Sequence, residues 1–383
     1  MSDIEELIKA LSKNRENTIS TLQALKGKNR VIVGAYCLFA PYELIAASGA
    51  LPVSLCGTSE KTITHAEKHL PRNLCPLIKS SYGYAITGTC PYFYYSDLII
   101  GETTCDGKKK MFELLAKITP VHVMNLPQSN SRPEDLDLFR AELVHLKKYL
   151  EKNLETAISE KRLRKEIRER NEERKISREF YQLSKLDPPP LPGSTVQHVL
   201  HGSGYAFNKA EQNTTLRRLI DTVKTAYANG ERATPKKQPR MLITGCPLGD
   251  ATEKIIRFIE ENGGTIVCFE NCGGAKDREE LVDETLDPMD ALAKKYINLG
   301  CSCMSPNDNR IQLLSRLMDE YRIDGVIDVI LHTCHTYNVE TFRIRELVQK
   351  EKQKGYLGIE TDYSSADEGQ LKTRISAFIE MLQ

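Results

Sequence analysis

The sequence has no excess of charge of either sign, since its 383 residues carry 53 Lys and Arg against 52 Asp and Glu. The formal net charge of +1 gives no electrostatic reason to expect binding to nucleic acid or to a membrane surface. No apolar run reaches the roughly 18 residues of a membrane span. The first residues, MSDIEELIKALSKN, have an acidic amphipathic pattern and do not resemble a signal peptide. We therefore expect a soluble cytoplasmic protein that binds neither nucleic acid nor membrane.

Nucleotide-binding motifs are also missing. The stretch GETTCDGKKK has five residues between Gly101 and Gly107 and has Lys109 where a P-loop needs a hydroxyl. The stretch TGCPLGDATEK lacks the lysine–hydroxyl pair, and no G-x-G-x-x-G follows a predicted strand. We therefore expect no ATP site in this chain. Cys105, in the middle of GETTCDGKKK, needs a different explanation.

The chain does have eleven cysteines. Because disulfides are rare in the cytoplasm, this many thiols favours metal binding or redox chemistry over simple packing. The paired C-x2-C motifs of structural zinc sites and the C-x-x-C of thioredoxin-like proteins are absent. The segments 301–303 (CSC) and 332–335 (HTCH) leave a zinc site open as an alternative. Cys334 and His335 form a weak nucleophile–base pair, because adjacent side chains do not face each other.

Apolar strands alternate with helical patterns in two parts of the chain. Strands are predicted at 30–36, 51–55, 97–100, 121–125, 240–245, 265–270, 324–331 and 356–360. Helices are predicted after Pro41, from Lys108, at 250–262 and at the C-terminus. Continuous apolar strands separated by helices indicate parallel sheets that are covered on both faces. The predicted fold class is α/β, with two Rossmann/flavodoxin-like domains that have short parallel sheets and are joined by a charged helical segment.

The predicted division has three parts, since the chain is long for one core. Residues 1–130 form the N-terminal helix and first α/β domain, 131–235 the helical segment and linker, and 236–383 the second α/β domain. The region 133–185 mixes Lys, Arg and Glu in a helical pattern, which is typical of a solvated helix with one packing side. Nucleic-acid binding by this region is the weaker alternative, because acidic residues interleave with the basic ones.

Several cysteines lie within a few residues after the ends of predicted strands. They are Cys37, Cys56, Cys105, Cys246, Cys272 and Cys334. The carboxyl ends of parallel strands are where open α/β sheets bind ligands. Dispersed thiolates that converge on one cleft are what an iron–sulfur cluster requires, although the spacing contains no C-x2-C-x2-C run.

Seven segments together resemble a known family: YCLFAPYELIAASGALPVSLC, LPRNLCPLIKSSYG, DLIIGETTCDGKKKMFE, TGCPLG, ENGGTIVCFENCGGAK, DGVIDVILHTCHTY and IETDYS. They are similar to the 2-hydroxyacyl-CoA dehydratase (D-component) family, and most of all to its branch of double-cubane cluster proteins. The resemblance covers nearly the whole chain. It implies two α/β domains with a helical segment and a cluster in the cleft between the domains. Dehydratase subunits hold one cubane with three cysteines, whereas the double-cubane branch holds two sulfide-bridged cubanes with six.

The resemblance also implies a set of ligands. Cys75, Cys105 and Cys334 lie in motifs that match the positions shared with dehydratase subunits. Cys37 and Cys246 end the first strand of each α/β part in mirrored positions and are the next two. Cys272 is the sixth, with Cys301 or Cys303 as its alternative. Cys56, Cys90 and Cys268 are interpreted as core thiols.

Other residues of these motifs are predicted to support the cluster. Lys108 begins a helix after Cys105, where a cation would offset the negative charge of a cluster. Lys109 and Lys110 are interpreted as surface lysines, and Glu43 as a first-turn acid that favours the helix dipole. The candidate proton donors are His335, Tyr337, Glu360 and Asp362, which equally suit the capping of strand ends.

The hypothesis from the sequence is a homodimeric iron–sulfur reductase with one double-cubane (8Fe-9S) cluster per subunit. It receives low-potential electrons from a separate ATP-hydrolysing iron–sulfur activator and passes them to a small substrate. One alternative is a 2-hydroxyacyl-CoA dehydratase subunit with a single 4Fe-4S cluster. The other is a non-catalytic electron-storage subunit.

Overall fold

The computed structural model describes residues 2–235, 237–247 and 249–383 of a mixed α/β chain. The strands are β1 (Ile32–Ala35), β2 (Leu51–Ser54), β3 (Leu98–Glu102), β4 (Val121–Met124), β5 (Arg240–Gly245), β6 (Thr265–Phe269), β7 (Gly325–Leu331) and β8 (Gly355–Thr361). The helices are α1 (Ser2–Glu16), α2 (Thr18–Gly27), α3 (Tyr42–Ala47), α4 (Ile63–Ala66), α5 (Pro76–Thr87), α6 (Pro91–Tyr94), α7 (Asp106–Leu115), α8 (Pro133–Asn153), α9 (Glu160–Gln182), α10 (Gly193–Ser203), α11 (Lys209–Ala228), α12 (Asp250–Glu261), α13 (Ala275–Arg278), α14 (Pro288–Ile297), α15 (Asp308–Glu320), α16 (His335–Arg345) and α17 (Glu368–Glu380). Short 3₁₀ helices lie at Glu60–Thr62 and Leu183–Lys185, and a π-helical turn lies at Glu346–Glu351.

The chain forms two compact units, each with its own hydrophobic core. The first unit comprises Asn17–Arg174 and Glu280–Arg310. The second unit comprises Met1–Glu16, Lys175–Glu279 and Ile311–Gln383. The helix α1 therefore belongs to the second unit, and not with the first α/β domain as the sequence-based division has it. The physical reason is packing, because Leu7 and Leu11 of α1 are buried in the core of that unit against α10 and α11.

The first unit contains a parallel sheet with the strand order β2-β1-β3-β4. Its two central strands, IVGA and LIIGE, are buried along their whole length. Such strands are typical of a parallel sheet whose two faces are covered by helices. The order reverses between β1 and β3, which is the flavodoxin-like arrangement that places a ligand crevice at the carboxyl ends of these strands.

The second unit repeats this design with the order β6-β5-β7-β8, again with every pair parallel. The strands β5 and β7 occupy its centre and are fully buried. The prediction of two Rossmann/flavodoxin-like parts is therefore confirmed, and each of the eight predicted strands is present within two residues of its expected bounds.

The charged region predicted at 133–185 is helical, as expected, and forms α8 and α9. Phe139, Leu143, Leu146 and Leu150 of α8 are buried and form its packing side. Among the described residues, no helix is both long and apolar enough to cross a membrane.

A buried ion pair anchors α3, the helix that follows Cys37. Arg174 donates to Glu43 at 2.7 Å, and the hydroxyl of Tyr296 donates to the second carboxylate oxygen of Glu43 at 2.7 Å. Burial acts to raise the pKa of Glu43, but the Arg174 guanidinium and other nearby cations hold it below its ordinary value. Glu43 therefore does more than complement a helix dipole, because its carboxylate joins α3 to α9 and α14 within the first unit.

Candidate functional site

Three adjacent strands of the first sheet are each followed by a cysteine. Cys56 comes two residues after β2, Cys37 two residues after β1, and Cys105 three residues after β3. Because these strands are parallel neighbours, the cysteines lie at the same edge of the sheet. Cys56 is exposed, so its interpretation as a core thiol is wrong. It lies beyond the end of an edge strand, where the packing of the core no longer covers it.

The second unit has the same arrangement. Cys272 comes three residues after β6, Cys246 directly after β5, and Cys334 three residues after β7. The strands β6, β5 and β7 are again one edge strand and the two central strands of their sheet. Each unit therefore carries strand-end cysteines at the edge of the sheet where α/β folds bind ligands.

Cys246 is held tightly between β5 and β7. Gly245 has a φ of 104°, and a Cβ at this position would lie 2.1 Å from the carbonyl oxygen of Val329, so only glycine allows this approach. The Cys246 amide then donates to Val329 at 2.7 Å, and the amide of Leu331 donates to the Cys246 sulfur at 3.3 Å. The thiolate is the form of cysteine that binds metals, and its sulfur can accept hydrogen bonds of this kind.

Cys334 follows a strained turn and caps α16. Its neighbour Thr333 has a φ of 60°, a left-handed conformation that β-branched residues rarely adopt. The amide of Cys334 donates to the carbonyl of Leu331 at 3.0 Å and closes the turn. Strain of this kind persists where surrounding structure enforces it, and it is typical of functional sites.

Cys75 caps α5 and lies on a segment that packs against the segment of Cys105. Leu74 and Ile78 flank Cys75, and a Cβ on Gly107 would lie 2.8 Å and 2.9 Å from their side chains. Gly107 is two residues after Cys105, so a side chain there would separate the two segments. Within the first unit, the structure therefore brings the segments of these two predicted ligands into contact.

Lys108 is buried among the strand-end thiols of the first unit. Its ammonium group donates to the carbonyl of Tyr36 at 3.1 Å, and the thiol of Cys56 donates to the same oxygen at 3.3 Å. Burial acts to lower the pKa of Lys108, but the nearby Cys37 and Glu102 outweigh it and raise this pKa above its ordinary value. The side chain therefore supplies a fixed positive charge beside the thiols.

The other two lysines of this run are exposed on α7, which confirms their interpretation as surface residues. Lys109 pairs with Asp106 at 3.2 Å, and Lys110 pairs with Glu113 at 2.5 Å. Each of these pairs spans three residues of one helix in solvent, so each contributes little to stability.

Glu102 is the last residue of β3, and its side chain is fully buried. Burial raises the pKa of this carboxyl to about 7, although the Lys108 ammonium and the amide of Ala40 act in the opposite direction. Near neutral pH the carboxyl is therefore poised between its protonated and ionised forms.

The raised pKa of Glu102 predicts that the stability of the metal-free protein depends on pH. Because the folded pKa of Glu102 lies above the unfolded value of about 4.3, its contribution is greatest below that value and is lost as the pH rises through about 7. We expect Glu102→Gln to remove this loss, so the free energy of unfolding of the variant minus that of the parent should rise by up to about 3 kcal/mol from about pH 5 to pH 8. Urea unfolding at each pH measures this, with the exposed Glu113→Gln as control. Identical profiles for Glu102→Gln and the parent would contradict the prediction.

Several other cysteines are placed differently from the strand-end set. Cys268 is fully buried inside β6 and accepts a hydrogen bond from Tyr181 at 3.3 Å, which confirms it as a core thiol. Cys90 is only half-buried, so it is not a core thiol, and it caps α6. Cys301 and Cys303 belong to the first unit, and the hydrogen bond with Cys301 and burial raise the pKa of the Cys303 thiol. The predicted sixth ligand, Cys272, belongs to the second unit.

The candidate proton donors differ in burial. Tyr337 is buried in the first turn of α16, where its hydroxyl accepts a hydrogen bond from Lys276 at 3.3 Å. His335 and Glu360 are exposed. Asp362 accepts hydrogen bonds from the amide and hydroxyl of Ser364 at 2.8 Å and 2.7 Å, which makes it a turn residue.

None of the eleven cysteines is joined to another in a disulfide. Within the part of the chain that the structure describes, no three His, Cys, Asp or Glu side chains are gathered in the arrangement that a metal ion needs. Sequence reasoning did not find Lys276 or the buried Glu270 beside it. A signal for them was present, because Glu and Lys lie six residues apart around a cysteine both in ETTCDGK, from Glu102, and in ENCGGAK, from Glu270.

Comparison with known proteins agrees with the fold and with the motifs. Residues 37–382 match the family model described as 2-hydroxyglutaryl-CoA dehydratase, D-component. The chain is 49% identical over 382 residues to YjiM of Escherichia coli (strain K12), a candidate dehydratase subunit, and the match covers 100% of this chain and 99% of that protein. It is 25% identical to the (R)-phenyllactyl-CoA dehydratase beta subunit of Clostridium sporogenes, over 91% of both chains. It is 24% identical to the beta subunit of lactoyl-CoA dehydratase of Anaerotignum propionicum, over 100% of both chains. The chain therefore belongs to the 2-hydroxyglutaryl-CoA dehydratase D-component family.

Proposed function

We propose that this protein is an iron–sulfur reductase that holds a double-cubane (8Fe-9S) cluster and reduces a small substrate with low-potential electrons. The observation that carries the proposal is the repeated placement of cysteines, none of them in a disulfide, after adjacent strands in both units. Thiolates are the donors that iron–sulfur clusters use, and the edge concerned is the ligand-binding edge of α/β sheets. When bound, such a cluster supplies electrons of very low potential.

The proposed ligands are three cysteines from each unit. They are Cys37, Cys75 and Cys105 of the first unit and Cys246, Cys272 and Cys334 of the second. Cys56 competes with Cys75 for the first unit, since it also lies at the strand ends near Lys108. Cys75 is favoured because it is buried and its segment packs on that of Cys105, whereas Cys56 is exposed. Burial protects a thiolate ligand from water and from exchange with other thiols.

The surrounding residues fit a negatively charged group. The buried ammonium of Lys108 lies among Cys37, Cys105 and Glu102 and offsets negative charge there. In the second unit the amide of Leu331 donates to the sulfur of Cys246. Hydrogen bonds to sulfur and nearby cations are two means by which proteins set the potential of an iron–sulfur cluster. Tyr337 is the candidate proton donor that we favour, because it is buried near Cys334 and in contact with a cation.

A second candidate function is that of a conventional dehydratase subunit with one 4Fe-4S cluster. The observation that favours it is the likeness to the (R)-phenyllactyl-CoA dehydratase beta subunit. Such a subunit would need only Cys75, Cys105 and Cys334, which would leave Cys37 and Cys246 without a role. A non-catalytic electron-storage subunit would need the same six ligands as the reductase, and only substrate turnover distinguishes these two.

The amount of iron per chain separates the first two candidates. Six thiolate ligands imply about eight irons and about nine sulfides per chain, twice the iron of a single cubane. We expect this content in protein that is purified without oxygen and analysed for iron and acid-labile sulfide. About four irons per chain, with the spectrum of an ordinary cubane, would contradict the double-cubane proposal and favour the dehydratase subunit.

The proposal extends to partners. We place the protein in the cytoplasm as a homodimer that takes electrons from a separate ATP-hydrolysing iron–sulfur activator. The sequence supports a separate ATPase, because GETTCDGKKK and TGCPLGDATEK both lack the residues of a P-loop.

A further inference from the structure

A buried polar network lies at the cysteine-bearing edge of the second unit. The ammonium of Lys276 is 3.1 Å from the carboxylate of Glu270, and the two side chains are 1% and 0% exposed. The hydroxyl of Thr244 donates to the other oxygen of Glu270 at 2.6 Å. Lys276 also donates to the hydroxyl of Tyr337 at 3.3 Å. The network thus links residues from β5, α13, α16 and the end of β6.

Each of these residues is close in sequence to a different strand-end cysteine. Thr244 precedes Cys246 by two residues, and Glu270 precedes Cys272 by two residues. Tyr337 follows Cys334 by three residues, in the first turn of the helix that Cys334 caps. A single ion pair therefore ties together the three segments that present the thiols of this unit.

Stability alone does not account for this ion pair. Moving two charges out of water costs several kcal/mol per ion, and well-packed apolar residues in the same place are often at least as stabilising. The first unit also buries a glutamate and a lysine around a cysteine, with the same separation, at Glu102 and Lys108. Both lysines are buried, since only 6% of the whole residue Lys108 and 5% of the whole residue Lys276, backbone included, are exposed. The feature that the Glu102–Lys108 and Glu270–Lys276 pairs share is a nearby strand-end cysteine.

We propose that Glu270 and Lys276 are positioning residues that fix the three thiol-bearing segments of the second unit and hold a positive charge beside them. The inference rests on the proposed function, since the group whose charge Lys276 offsets is the iron–sulfur cluster. A nearby cation stabilises the more negative, reduced state, so Lys276 raises the midpoint potential. Glu270 limits this effect and orients Lys276 toward Tyr337.

The test compares midpoint potentials of variants that still bind iron. In Lys276→Met the cation is lost, and we expect the midpoint potential to become more negative. In Glu270→Gln the cation remains without its counter-charge, and we expect a shift in the opposite direction. Potentials are measured by redox titration followed by electron paramagnetic resonance, and iron per chain is measured alongside. The pair of variants keeps the test decisive if one of them fails to fold.

Arg240→Met is the matched control. Arg240 is a buried cation of the same unit that donates to the carbonyls of Tyr321 and Ser184, but it lies at the opposite end of β5 from Cys246. We expect this variant to lower thermal stability and to leave the potential unchanged. Lys276→Arg should restore most of the parent potential, because it restores the charge.

The outcomes separate this inference from the proposed function. Parent protein without iron overturns both. Parent protein with about eight irons and an unchanged potential in Lys276→Met and Glu270→Gln overturns the positioning role alone. Shifts in the same direction in both variants, accompanied by equal loss of thermal stability, show a structural ion pair and also overturn it.

Discussion

Replacement of Cys105 by alanine is expected to remove most of the bound iron, whereas Cys268→Ala is expected to keep the parent amount. Cys105 follows the central strand β3 and interacts with the buried Lys108, and for this reason we propose it as a ligand. Cys268 is fully buried inside β6, where its loss costs only a packing change of roughly 1 kcal/mol. Iron analysis of the two variants, purified without oxygen in parallel, measures the difference. Equal iron in Cys105→Ala and the parent would exclude Cys105 as a ligand.

The same experiment settles the competing assignments with matched pairs. Cys334→Ala is expected to lose iron as Cys105→Ala does. In the first unit, Cys75→Ala should lose iron and Cys56→Ala should retain it. Loss of iron in Cys56→Ala, with retention in Cys75→Ala, would show that the thiols at the strand ends, and not the helix cap, supply that ligand. Cys272→Ala and Cys303→Ala form the corresponding pair for the sixth position.

The sequence was sufficient to predict the strands and the edge that carries the thiols. Runs such as LIIGE and GVIDVIL are apolar at every position or nearly so, which only a strand buried on both faces tolerates. A cysteine within a few residues after such a run lies near the carboxyl edge of the sheet, wherever the strand is placed in the order. The positions of Cys105, Cys246 and Cys334 could therefore be predicted from local pattern.

Burial and long-range pairing could not be predicted in this way. Cys56 follows an apolar run as Cys37 does, but β2 is an edge strand and β1 is central, and strand order depends on the whole fold. The contacts of Lys276 could not be predicted either, because they depend on the placement of α13. Lys276 contacts Glu270, and it also contacts Tyr337, from which it is 61 residues away in sequence. The assignment of α1 to the second unit likewise depends on packing against helices that begin at residue 193 and beyond. Hydrophobic patterns carry information about one element, whereas these features depend on pairs of elements.

The local sequence pattern also did not distinguish buried from exposed residues among the candidate proton donors. His335 and Tyr337 are two residues apart on α16, so the helix turns them in different directions, and only Tyr337 is buried. Glu360 lies on the outermost strand of its sheet, where its side chain is exposed. The contact of Tyr337 with Lys276 makes it the first residue to replace once a substrate is known.

Substrate reduction is expected to require both a partner protein and ATP. Reaching the potential of such a cluster is uphill from ordinary cellular donors, so an energy source must be coupled to electron transfer. The sequence contains neither a P-loop nor a dinucleotide-binding G-x-G-x-x-G after a strand, and we expect another polypeptide to supply the coupling. We propose an iron–sulfur ATPase dimer that docks transiently, since nucleotide binding and hydrolysis shift its population between a docked and a released state.

The measurement is reduction of a small unsaturated or nitrogenous substrate with a strong chemical reductant. This protein is assayed alone, then with the activator, and then with the activator and either ATP or a non-hydrolysable analogue. We expect the rate with activator and ATP to exceed each other condition by more than about tenfold, which corresponds to about 1.4 kcal/mol of the barrier. Cys105→Ala serves as the control, because it keeps the rest of the protein and should lose the acceptor of the electrons. Full turnover by this protein alone, at a rate that activator and ATP leave unchanged, contradicts the proposal. Reduction of the cluster by activator and ATP without any turnover of substrate would instead identify an electron-storage subunit.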